Sequence, residues 1–184
     1  MRWDRLFEDL EAQFDAADAA EYAGEIVERT RTAIGALRLV DRLRAAGDRP
    51  IRLTVLGAGA VRGEVRAVGS EWVVLGLTGG GEALVPLAAI MGVHGLGRHA
   101  ATPGSEGEVV KRLGLRHALR AIARDRSRCQ ITTVDGTLVT GTIDRVGADF
   151  LEVAELPVGE VRRPNAVRGV DTVPLSAIAL VRTA

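Results

Sequence analysis

Residues 51–75 repeat as residues 129–153 at a constant offset of 78 with no gap, and this repeat restricts the fold more than any motif in the chain. Five aligned pairs are identical: Thr54/Thr132, Val61/Val139, Gly63/Gly141, Val68/Val146 and Gly69/Gly147. The substitutions between the copies keep physical character, as in Leu53/Ile131, Val65/Ile143, Glu71/Asp149, Trp72/Phe150 and Val73/Leu151. At an offset of 88, VPLAAIMGV (residues 85–93) matches VPLSAIALV (residues 173–181) at six of nine positions, so the second copy carries a ten-residue insertion. A chain that repeats this way is expected to fold one small module twice.

Each copy reads as strands. Val61, Gly63 and Val65 alternate with Arg62, Glu64 and Arg66, and Val139, Gly141 and Ile143 alternate with Thr140, Thr142 and Asp144, which gives one apolar and one polar face. The preceding Gly57-Ala58-Gly59 and Asp135-Gly136-Thr137 are hairpin turns. A glycine on the apolar face in mid-strand permits a sharp bend and favours closure into a small barrel. Pro86 and Pro174 cannot donate to a ladder and are expected at strand ends. Helical sequence precedes both copies: Val109, Leu113, Leu115, Leu119 and Ile122 recur with helical spacing over residues 108–126, and the offset of 78 sets Leu37 and Arg38 over Leu115 and Arg116. Upstream, Trp3, Leu6, Phe7, Leu10 and Phe14 form one apolar stripe and Ile26, Thr30, Ala33, Leu37 and Val40 a second. The expected layout is an α+β chain: a helical region over 1–46 that is one long helix or a helical hairpin, a first barrel over 47–93, a Gly/Pro/Ser-rich linker over 94–107, and a helix plus second barrel over 108–184.

Val134-Asp135-Gly136, Gly141-Thr142-Ile143, Val146-Gly147-Ala148-Asp149-Phe150 and Ser176-Ala177-Ile178-Ala179-Leu180-Val181 carry a family resemblance. In the order helix, two hairpin-linked strands with a bend glycine, third strand, short strand, turn and final strand, the chain resembles the Sm-like superfamily of small barrels, with SH3-like barrels close to the same pattern. The last stretch is most similar to the end of the bacterial Sm-like RNA chaperones. The resemblance covers residues 51–93 and 129–182 and implies antiparallel barrels in tandem that join edge to edge into oligomers. Members that bind uridine-rich RNA carry an Asn in the third strand and a basic element before the last strand. Val73 and Leu151, then Pro86-Leu87 and Pro174-Leu175, stand at those positions, so the fold is implied without its RNA site.

Composition narrows the function classes. Lys+Arg and Asp+Glu are both 24, so the whole-molecule positive field of a non-specific nucleic-acid binder is missing. Aromatic residues at 3% leave few stacking platforms for single strands. No apolar run reaches the roughly 18 residues of a membrane span, and a cytoplasmic location is expected. Cys129 has no disulfide partner in the chain, and His94, His99 and His117 form no spaced ligand cluster with it, so neither metal nor cofactor is expected. The Gly57, Gly59, Gly63 pattern imitates a dinucleotide-binding turn, but strand sequence follows it where that chemistry needs a helix N-terminus. No nucleophile, base and oxyanion site can be assembled, and the chain is not expected to be an enzyme.

The insertion, with Arg162, Arg163, Asn165 and Arg168, is the candidate contact for nucleic acid or an acidic partner, set against the plainer reading of a solvated loop beside Glu155 and Glu160. Modules of about 45 residues lack core to spare and need cover from helices, the sister module or other chains. The expected function is a non-catalytic assembly or scaffold protein, a homo-oligomer associating through strand edges and helices, with its N-terminal helix available to a protein partner. The alternative is an Sm-like nucleic-acid-binding protein acting through the arginine-bearing loop.

Overall fold

The computed structural model describes residues 22, 24, 25, 28–102, 113–155 and 169–183. Described residues up to 37 and those from Arg38 onward belong to two separate units. In the first, residues 28–35 are helical, with Arg29 Nη2 paired to Glu25 at 2.6 Å one turn back. That helix does not run on to residue 46 as the stripes suggested. Leu37 N bonds to the Ile34 carbonyl at 3.1 Å in a tightened last turn, and Arg38 is extended (φ −103°, ψ 158°). A separate short helix, α1 (Leu39–Arg44), follows, and the rest of the expected N-terminal helix lies outside the described residues. Asp41 ties α1 down: fully buried, it accepts from Arg38 N at 3.1 Å and from Arg44 Nη1 at 3.2 Å.

The described residues of the second unit hold ten strands: β1 (Pro50–Val55), β2 (Gly59–Val68), β3 (Trp72–Leu77), β4 (Glu82–Pro86), β5 (Ile90–His94), β6 (Arg128–Thr133), β7 (Leu138–Val146), β8 (Phe150–Glu155), β9 (Val170–Pro174) and β10 (Ile178–Thr183). Helix α2 (Leu115–Asp125), capped by an extended Gly114, precedes β6, and residues 108–112 of the helical run expected over 108–126 lie outside the described residues. The duplication is reproduced in the pairing. Leu53 faces Val61 as Ile131 faces Val139, Val73 faces Val85 as Leu151 faces Val173, and Leu53 faces Val93 as Ile131 faces Val181. Even the irregularities repeat, since the β2/β3 ladder slips at Arg66 and the β7/β8 ladder at Asp144. Pro86 and Pro174 end β4 and β9, each leading into a 3₁₀ turn (Leu87–Ala89 and Leu175–Ala177).

The expected pair of tandem barrels does not form. All ten strands belong to one antiparallel sheet in the order β5-β1-β2-β3-β4-β10-β6-β7-β8-β9. Closing either half would require β4 to pair with β5, or β9 with β10. Instead each 3₁₀ turn carries the last strand of a half back to its first, and β4 takes β10 of the other half as its neighbour. Closure was inferred from the mid-strand glycines, which do bend the strands but leave the sheet open. A Cβ on Gly63 would overlap the Gly76 carbonyl oxygen, and one on Gly141 the Ala154 carbonyl oxygen, so the facing strands approach there as only glycine allows.

Candidate functional site

The most informative feature is the junction where the halves meet. β10 pairs with β4 through Val181 opposite Leu84, Arg182 opposite Ala83 and Thr183 opposite Glu82. Side chains cross it in both directions. Ala179 and Leu180, from the second half, complete a core whose other buried residues belong to the first half, such as Leu53, Val73, Leu75 and Val85. Leu84 and Trp72, from the first half, complete the core of Leu119, Ile131, Ile143, Leu151 and Val173. Helix α2 seals the same junction: Glu71 Oε2 accepts from Leu115 N at 3.0 Å at the helix start, and Trp72 Nε1 donates to the Leu113 carbonyl at 2.9 Å. Trp72, a first-half residue, therefore anchors the neighbouring module.

Among the described residues, β5 and β9 have a strand on one side only. They are the counterparts of the strands that meet inside: β5 corresponds to β10, and β9 to β4. Each open edge shows an exposed apolar side chain, Met91 on β5 (65% exposed) and Val170 on β9 (54%), whereas Ala179, the internal counterpart of Met91, is fully buried. The charges differ in sign. On the β5 side, His94 lies opposite Arg52, which lies opposite Arg62 on β2, and these three line a groove of about 450 Å³ with Thr78. On the β9 side stands Asp171.

The basic row was missed in the sequence reading although a signal existed. A hairpin centred on Gly57, which has φ 69°, sets Arg52 across from Arg62 by counting outward. The arginine-bearing insertion falls between β8 and β9, and Arg162, Arg163, Asn165 and Arg168 lie outside the described residues.

A groove of about 460 Å³ runs between the two 3₁₀ turns, with Glu71, Arg116 and Ser176 as its polar lining and Pro86, Ala89 and Leu175 among its apolar lining. It brings no nucleophile beside a base. Burial pushes the Cys129 thiol up to about 11, only partly offset by a hydrogen bond with the Ile143 backbone, which makes it a poor nucleophile. Asp135 is held below its usual 3.8, first by the Thr133 hydroxyl and then by the Thr137 backbone N–H and hydroxyl; these contacts fix the β6–β7 turn. His94, His99 and His117 stand apart, on β5, after it, and on the exposed face of α2. Among the described residues no group of three His, Cys, Asp or Glu could hold a metal ion, and no helix is long and apolar enough to cross a membrane. No family model, curated protein or solved structure matches the chain.

Proposed function

We propose that this is a non-catalytic assembly protein whose copies join to one another through the open edges of its sheet, forming a homo-oligomer. One observation carries the reading: the chain already holds a β4/β10 junction between its halves, and among the described residues the counterparts of both joined strands have a partner on one side only. Uncovered edges are usually blunted by lysine, proline, bulges or covering loops. Here the bulge of β5 falls between Ile90 and Gly92 and the proline of β9 stands at its last position, so Gly92–His94 and Val170–Val173 carry neither, and Met91 and Val170 are exposed. Kinship with the Sm-like superfamily fits this reading, because each half keeps the element order on which that resemblance rests. The cytosol suits a chain whose one cysteine is a buried free thiol.

Light scattering on the purified chain at about 0.1 M and about 1 M salt tests the reading, since salt at the higher level screens exposed charges beyond a few ångströms. Ladder hydrogen bonds and apolar contact predict a whole multiple of 19.5 kDa at both salts. A 19.5 kDa species at both, over the accessible concentration range, would refute it. A particle that carries nucleic acid and falls apart in salt would instead favour a role in nucleic-acid binding.

A further inference from the structure

We infer that the β9 edge of one copy docks on the β5 edge of the next in a single register, with Thr172 opposite Val93, Asp171 opposite His94 and Val170 opposite Gly95. This rests on the self-association reading and specifies its interface. The register comes from the internal junction. Val181, Arg182 and Thr183 of β10 have Val93, His94 and Gly95 as counterparts 88 positions earlier, the shift that also relates the bulged ladders β1/β5 and β6/β10. Leu84, Ala83 and Glu82 of β4 have Thr172, Asp171 and Val170 as counterparts 88 positions later, as the β3/β4 and β8/β9 ladders require. Carrying the internal pairs over through these shifts yields the three intermolecular ones.

Charge and surface agree with that docking. Arg62 and Arg52 stand side by side as like charges, an arrangement that is unfavourable across strands unless an anion relieves it, and His94 carries the row on to the β5 edge. The inferred register extends this row by Asp171. A shift of one residue would move Asp171 to the other face of the sheet and lose the match. The contact is of the head-to-tail kind, because the two edges differ, so it builds a closed ring or an open filament and not a two-fold dimer.

The intermolecular joint is weaker than the internal one. Leu180, which plugs the first core, has Gly92 as its counterpart, and Leu84, which plugs the second, has Thr172. Trp72, whose indole bonds to Leu113, has Phe150, which lacks an N–H. The edges between copies therefore separate on dilution while the halves of each chain stay joined.

Cross-linking with a short bismaleimide reads out the register. The full-length double variant His94→Cys/Asp171→Cys is treated under conditions where light scattering finds oligomers, beside each single variant and the unmodified chain, whose buried Cys129 supplies the background. The expected result is a ladder of covalent trimers and larger species from the double variant only, with the single variants remaining monomeric on a denaturing gel. Val93→Cys/Thr172→Cys provides a second pair, in case substitution at Asp171 disturbs the edge. Covalent dimers from His94→Cys alone would mean β5 meets β5, and from Asp171→Cys alone that β9 meets β9; either result overturns the inference. Oligomers that neither pair cross-links would overturn the register while leaving self-association standing. A monomer at every concentration would overturn both.

Discussion

Replacing Leu180 by Ala tests whether the halves share their cores. Leu180 belongs by sequence to the second half but is 1% exposed within the first-half core. Losing its three outer carbons forfeits about 2–2.5 kcal/mol of transfer free energy. The strands around it are tied into one sheet and cannot collapse freely, so the cavity raises the expected loss to about 3–4 kcal/mol. For a unit of about 150 residues that corresponds to a melting temperature lower by roughly 6–16 °C. Calorimetry measures the loss, and native-state hydrogen exchange shows where it falls. Shared cores predict one transition, with protection reduced alike for Leu53 and Val73 in the first half and Ile131 and Leu151 in the second. A reduction confined to β6–β10, or a loss under about 1 kcal/mol, would refute the exchange of side chains across the junction.

Two further substitutions and titrations probe the elements that build each half. Gly141→Ala sets a Cβ against the Ala154 carbonyl and is expected to cost about 2 kcal/mol in urea unfolding, whereas Gly97→Ala, with open space around it, stays within about 0.5 kcal/mol of the parent. For Cys129 the folded state raises the thiol from 9.0 to about 11, so the unfolded chain ionises first. Its contribution to stability is intact below pH 9 and falls between about 9 and 11, by roughly 2–3 kcal/mol in all, a loss that Cys129→Ala should not show. Asp135 shifts the opposite way: NMR titration should find its carboxyl ionising below 3.8, with Thr133→Val moving it back towards that value.

What the sequence disclosed was local. The strand offsets of 78 and 88 hold through every ladder because alternation and turn residues are properties of a few adjacent positions. The helices obey a different offset: Gly47 (φ 61°) and Arg126 (φ 51°), the left-handed residues that follow α1 and α2, lie 79 apart. The link to the first strand is thus one residue longer before β1, and the earlier match of Leu37 with Leu115 shifts by one. The junction was not legible. Leu84 and Leu180 sit at apolar positions of their own strands whether those strands pair within a half or across halves, and alternation gives no sign of which neighbour a strand takes. Nor could the mid-strand glycines distinguish a bent open sheet from a closed barrel, since both need the same close approach at Gly63 and Gly141. The opposite charges at the open edges became visible only when register set His94 beside Arg52 and left Asp171 at the far end.

The most direct test of edge-driven assembly is sedimentation of the unmodified chain beside the double variant Met91→Lys/Val170→Lys. Both side chains are exposed in the single chain, so the change should leave the melting temperature of the dissociated chain within about 2 °C while setting a solvated charge on each edge. The account predicts oligomers for the unmodified chain and a folded 19.5 kDa monomer for the variant. Oligomers that survive the lysines unchanged, or an unmodified chain that sediments as a monomer throughout, would contradict it.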